Sequence, residues 1–204
     1  MCGAPPSRPG ALALAHGGVL FLDELPEFSR HSLEMLREPM ESGQITLSRA
    51  QQKLSFPARF QLVAAMNPCP CGYAGDPHHR CRCSADRIER YLGKLSGPLL
   101  DRIDLVIEVP ALSQVELLAG ADDDLNWSEV RVKIDLCRDR QTQRAGKLNS
   151  QLHLAELKKY CPVDEEQRAV LARIMDKLSL SARATHRTIK MARNMADFDG
   201  RALK

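Results

Sequence analysis

Aromatic residues are scarce in this chain, 4% of 204 with a single tryptophan. A carbohydrate-type platform or an aromatic cage needs more ring surface than that. No apolar run approaches the ~20 residues of a membrane helix. The opening "MCGAPPSRPG" has no apolar segment of the signal-peptide kind. A dominant charge is missing too. Twenty-nine Lys and Arg against 26 Asp and Glu leave +3, so bulk electrostatics announce no nucleic-acid partner and any basic surface must be local. The seven cysteines are an odd number, and four crowd into residues 69–83. That is no secreted disulfide framework. It suits a reduced compartment and a metal-like cluster, so a cytoplasmic, soluble protein is expected. The last absence is a phosphate loop. None of the twelve glycines precedes Lys-Ser or Lys-Thr. "AGKLNS" at 145–150 has the Gly-Lys pair but lacks the upstream glycine and the hydroxyl.

Apolar residues make up 44%, enough for one domain or a domain with a lid. Val19–Leu22 reads as a fully buried strand between Gly17-Gly18 and the acids Asp23 and Glu24. Ser29 can cap a helix bearing Leu33, Leu36 and Met40, which Pro39 should kink and Gly43 should end. Residues 44–56 read as two short strands around a polar turn, and 61–67 as a second buried strand ending in Asn67. Ser84 can cap a helix with Ile88, Tyr91, Leu92 and Leu95 on one face. "LVIEV" at 105–109 reads as a third strand.

Beyond Pro110 the pattern becomes helical, over 128–144, 152–160, 165–178 and 181–198, with Thr188, Met191, Met195 and Phe198 on one face of the last helix. The run 138–147 reads as a solvated helix face. The expectation is an α/β part over 1–112, a parallel sheet with helices, followed by an all-α part over 113–204.

Two acids at the carboxyl end of a buried strand lie where ligands gather in open α/β sheets. In a nucleotide hydrolase the first holds Mg²⁺ and the second polarises the attacking water. Alone, this pattern equally describes a solvated strand-to-helix turn. Its context is Asn67 at the end of another strand and Arg102 in "LLDRID".

The strings "LAHGGVLFLDELPEFSRHSLEMLREPMESGQITLSRA", "FPARFQLVAAMNPCPCGYAGDP", "CRCSADRIERYLGKLSGPLLDRIDL" and "KLSLSARATHRTIKMARNMADFDG" resemble the magnesium-chelatase-like AAA+ ATPases, and within them the ComM/YifB branch of DNA helicases. The resemblance implies a partial AAA+ core and a helical lid. Asp23 and Glu24 match the Walker B acids, Asn67 the sensor-1 residue, Arg102 the arginine finger that reaches a neighbouring subunit's nucleotide, and Arg183 the sensor-2 arginine. Without the resemblance, Arg102 reads as an ion pair with Asp101 or Asp104, and Arg183 as a solvated helix start. Implied with these roles are ATP, Mg²⁺, a hexameric homo-oligomer and DNA as partner. Arg49 and Lys53 match a hairpin that points into the ring's pore, where cations contact phosphates; an ordinary solvated turn is the plain reading.

Cys69, Cys71, Cys81 and Cys83 form two C-x-C pairs nine residues apart. Four thiolates can close a structural tetrahedral zinc site, with His78 and His79 as spare ligands. In the resembling family the phosphate loop precedes the Walker B strand. The sequence is therefore expected to be the C-terminal part of a longer protein or a truncated product, with an exposed sheet edge, weak ATP binding and a tendency to self-associate. Two other readings are a magnesium-chelatase-type ATPase subunit and a non-catalytic zinc-stapled fragment that binds DNA or its relatives.

Overall fold

The structure, a computed structural model, describes residues 10–49, 52–77, 79–110, 125–178 and 180–201. The chain divides into two compact units, Met1–Ala111 and Leu112–Lys204. Among the described residues no helix is long and apolar enough to cross a membrane.

The first unit is α/β. A short helix α1 (Ala11–Leu14) leads into β1 (Val19–Leu22). β1 pairs in parallel with β4 (Gln61–Ala64), from Val19↔Gln61 to Leu22↔Ala64. A parallel pair needs a long crossover. Here it holds α2 (Arg30–Met35), α3 (Arg37–Ser42) and an antiparallel hairpin of β2 (Gln44–Arg49) and β3 (Gln52–Pro57). Ser29 caps α2 by accepting a hydrogen bond from the Ser32 amide. The helix breaks at Leu36 because Pro39 has no N–H for the Met35 carbonyl. Gly43 ends α3 at φ 70°, and a Cβ there would meet Arg59 Cγ at 2.6 Å. In the hairpin, Ile45 faces Phe56 and Leu47 faces Leu54, which fixes the register.

Leu20, Leu25, Leu33, Leu36, Leu95 and Leu99 form the core of this unit. Three expectations are corrected by it. β1 is buried on one face only: Leu20 is 9% exposed, Val19 62% and Phe21 59%. The core helices cover one side of the two-stranded sheet, and nothing described covers the other. β4 ends at Ala64, three residues short of Asn67. Residues 105–109 form no strand, and Val106 is 79% exposed. A strand needs a partner's hydrogen bonds, and among the described residues no edge pairs with this segment.

The cysteine loop leads into α4 (Ala85–Leu92), with Ser84 at its N-cap position but making no side-chain cap bond. Tyr91 and Leu95 are buried while Leu92 is exposed. α5 (Gly97–Leu100) follows.

The second unit is helical: α6 (Trp127–Ala145), α7 (Leu154–Tyr160), α8 (Glu165–Leu178) and α9 (Ala182–Asp199). Ser181 caps α9 through the Ala184 amide. Leu152, Leu157 and Cys161 make a small apolar cluster with Ile189. Polar groups do the rest. Asp197, 1% exposed, takes both forks of Arg144 at 2.7 and 2.6 Å, Arg193 at 2.8 Å and Asn149 at 2.9 Å, while Arg140 donates to its carbonyl. Burial alone would raise the Asp197 carboxyl. The hydrogen bonds from Arg144, Asn149 and Arg193 outweigh it and hold the group below the usual carboxylate range. One expectation is narrowed here. The run 138–147 is solvated on one side only: Arg138, Asp139, Thr142 and Gln143 are exposed, while Gln141 is buried and Arg144 is committed to Asp197. The last helix keeps Thr188, Met191, Met195 and Phe198 on one face, half-buried to exposed, and buries Thr185 and Asp197 instead. The arginines of α6 draw α9 in by its acid rather than by its thioethers.

Candidate functional site

β1 delivers Asp23 and Glu24 to the carboxyl end of the parallel pair, both exposed. The chain turns there through an unusual backbone. Glu24 has φ 50° and ψ 49°, the one positive φ on a non-glycine residue among those described. Such a left-handed residue costs about 1–2 kcal/mol and persists where its surroundings fix it. Two contacts do so: the Glu24 amide donates to Asp23 Oδ1 at 2.9 Å, and the Leu25 amide to the Ala65 carbonyl at 3.0 Å. Pro26 and Leu25 are buried directly after.

The Leu25–Ala65 bond brings the acid turn beside the segment that carries Asn67, which is exposed. The structure therefore places Asp23, Glu24 and Asn67 at one end of one sheet. Sequence reasoning put Tyr91 on one helix face with Ile88, Leu92 and Leu95, but not at this site. Burial pushes its phenol up, and the Glu27 carboxylate adds to that. Hydrogen bonding from the Asn67 main chain works the other way, and the charge of Glu24 again raises it. The available signal was a buried tyrosine, whose hydroxyl needs a partner.

Arg102 stands elsewhere on this unit. It pairs with Glu41 at 2.6 Å and donates to the Pro98 carbonyl. Its side chain is 12% exposed. The pairing is with an acid of α3 and not with Asp101 or Asp104. Arg183 lies in the first turn of α9 in the other unit, exposed. Arg49 and Lys53 are at adjacent rungs of the hairpin, Arg49↔Gln52 and Ser48↔Lys53. Their side chains, like the 50–51 link and His78, lie outside the described residues.

The four cysteines converge. Cys69 Sγ is 3.4 Å from Cys71 Sγ and 3.7 Å from Cys81 Sγ, and Cys71 is 3.6 Å from Cys81. All four sulfurs lie within 4.8 Å of one another. Zinc–sulfur bonds of about 2.3 Å set at tetrahedral angles separate the sulfurs by about 3.8 Å, so the set fits a zinc ion. Thiols this close cannot all ionise unaided. Amide hydrogen bonds from Tyr73 and Arg82 bring Cys71 down to about 6. Cys81 has an amide bond from Cys83 that lowers it, yet burial and the neighbouring sulfurs push it up to about 11. A divalent cation resolves that conflict by taking all four as thiolates. His79 is not part of the set: its Nδ1 lies 3.2 Å from Asp76 Oδ2 and its ring stacks on Tyr73.

Residues 1–117 match the family profile "Magnesium chelatase, subunit ChlI", and residues 126–203 match "Magnesium chelatase, subunit ChlI C-terminal". The chain is 49% identical to the competence protein ComM of Haemophilus influenzae, over 95% of this chain and 38% of ComM. It is 46% identical to YifB of Escherichia coli, over 94% of this chain and 37% of YifB. The magnesium-chelatase 38 kDa subunit of Acidiphilium rubrum is 31% identical over 50% of the chain and 23% of that subunit. The chain thus spans less than two fifths of the length of these relatives.

Proposed function

Because the chain belongs to the magnesium-chelatase ChlI family, within the AAA+ proteins, we propose that it supplies the metal-binding, water-activating and lid elements of an ATP-dependent motor that acts on DNA as a ring of like subunits. The observation that carries the reading is the left-handed Glu24. A glutamate held in a costly conformation, exposed, beside an aspartate and an asparagine at the open end of a parallel sheet, is positioned for chemistry rather than for stability. The 49% identity to a competence protein supports DNA as the partner; branch migration in transformation or recombination is the work proposed for it.

Each side chain has a part. Asp23 would hold Mg²⁺: one of its oxygens takes the Glu24 amide, and the other has no hydrogen bond among the described residues. That ion, when bound, offsets phosphate charge. Glu24 orients and deprotonates the attacking water, and Asn67 fixes that water's place. Arg102, released from Glu41, stabilises charge on a neighbouring subunit's phosphoryl group. Arg183 serves the same phosphates from the lid. Arg49 and Lys53 contact the DNA backbone. Cys69, Cys71, Cys81 and Cys83 hold a structural zinc that staples the loop after Asn67. The unpaired cysteines support a cytoplasmic setting for this work.

The test is DNA-stimulated ATP hydrolysis, with Glu24→Gln as control and zinc measured on the same preparation. Turnover that Glu24→Gln abolishes, with about one zinc per chain, supports the reading. Turnover indifferent to Glu24→Gln would sink it. A second reading has its own observation: the 204 residues contain no glycine–lysine phosphate loop. On that reading the chain binds DNA without turnover, and DNA binding with no hydrolysis above the control is its signature.

A further inference from the structure

We propose that the cysteine loop is itself a nucleic-acid contact, a stacking platform for single-stranded nucleic acid made by Tyr73, His79, Arg80 and Arg82. The inference deepens the DNA reading and rests on it for the class of partner, but uses none of the hairpin or acid-turn residues.

Tyr73 and His79 stack with ring centroids 4.8 Å apart and planes 29° from parallel. Neither is core: Tyr73 is 44% exposed and the His79 side chain 62%. Asp76 fixes the pair by taking the His79 amide at 3.0 Å on one oxygen and lying 3.2 Å from His79 Nδ1 with the other. A ring held in place loses little freedom when a base stacks on it.

Arg80 and Arg82 flank Cys81 and are exposed. Neither guanidinium makes an ion pair or hydrogen bond among the described residues. The rings and the cations line one cavity of about 1020 Å³ together with Ser84 and three of the four cysteines, Cys71, Cys81 and Cys83, so the platform adjoins the candidate metal site. Small-ligand pockets run to ~1,000 Å³, so the space exceeds what one base needs. Stacking rings beside cations is the chemistry of strand binding without sequence preference.

The plainer role for the arginines is to balance the metal centre, since four thiolates around Zn²⁺ carry a net charge of −2. That balance leaves the exposed ring pair unexplained, and it makes a further claim. Long-range attraction at the loop is weak, so stacking carries the larger share of binding. With two phosphate contacts, the logarithm of affinity should fall with the logarithm of salt at a slope of about −1.4.

The experiment is fluorescence anisotropy of a labelled oligothymidylate of about 20 nucleotides with the zinc-loaded full chain, beside a duplex of equal length. Tyr73→Ala and the double change Arg80→Ala/Arg82→Ala should each weaken single-strand binding about tenfold. Tyr73→Phe should keep it, and Tyr73→Ala should leave duplex binding unchanged. Zinc content and circular dichroism check that the loop is intact, as these exposed residues allow. If Arg49→Ala/Lys53→Ala removes binding while the loop variants bind like wild type, the inference is overturned and the DNA reading survives on the hairpin. If wild type binds neither probe, both fall together.

Discussion

Two aspartates, one in each unit, show how differently the molecule uses the same side chain. Asp23 follows β1 and is exposed, with one hydrogen bond from the next residue's amide and no ion pair among the described residues. Asp197 sits in the last helix, 1% exposed, between Arg144, Arg193 and Asn149. A carboxylate already satisfied by protein donors cannot take a ligand, and one left open to water can. The helical unit uses its acid for cohesion. The α/β unit keeps its acid free and sets it on a strained turn.

The largest effect should come from neutralising the buried acid. Asp197→Ala leaves Arg144 and Arg193 without their counter-charge and should cost about 3–5 kcal/mol, read as a lowered urea midpoint of the helical signal. Asp23→Ala should stay within about 0.5 kcal/mol; equal losses would erase the contrast. The pH dependence has a definite sign. The Asp197 carboxyl is depressed on folding. Its contribution is therefore present above the unfolded value of about 3.9 and is lost as pH falls through the lower folded value. Acid titration of wild type should melt the helical unit below about pH 4. The Asp197→Asn variant, already destabilised, should show a flatter acid limb.

Next in size is the strained turn. Glu24→Gly relieves the left-handed conformation, and although glycine gives back part of the gain through unfolded-chain entropy, the variant should be up to about 1 kcal/mol more stable. Any hydrolysis should vanish with it. A Glu24→Gly variant less stable than wild type would mean that the glutamate side chain supports the fold, contrary to the contrast drawn here.

A small effect is expected at Glu41. Its pair with Arg102 is short, but Glu41 is 51% exposed, so Glu41→Gln should cost no more than about 1 kcal/mol. The sharper readout is nitrogen-15 NMR of the Arg102 guanidinium, whose exchange with water should quicken once the clamp is gone. An unchanged signal would mean that the Pro98 carbonyl alone holds Arg102.

Much of this was legible because it is written locally. Ser29, Pro39 and Gly43 predict a helix start, a break and an end, and each acts through its own backbone chemistry. The hairpin follows from alternating apolar residues, and residues 165–178 were bounded correctly by pattern alone. The C-x-C pairs signalled a cluster whose sulfurs do converge. The misreadings share a different cause. Residues 105–109 carry a strand pattern and find no strand partner among the described residues. The 138–147 run has the composition of a wet surface and is mostly exposed, yet one side of it gives Gln141 and Arg144 to a buried seam. Tyr91 gave only the sign of a core residue, yet its hydroxyl lies under the influence of Asn67 and Glu24.

By itself the sequence determined the kind of chain this is: its family, its α/β-then-helical order, the acids after an apolar strand and the paired cysteines. Those depend on residue identity and near-neighbour spacing, which the sequence carries in full. Only the tertiary structure decided which charges stay free and which are consumed. Arg102 meets Glu41 across 61 positions and Arg144 meets Asp197 across 53. Coulombic and hydrogen-bond energies depend on distance in space and on exclusion of water, and neither is fixed until the chain has packed.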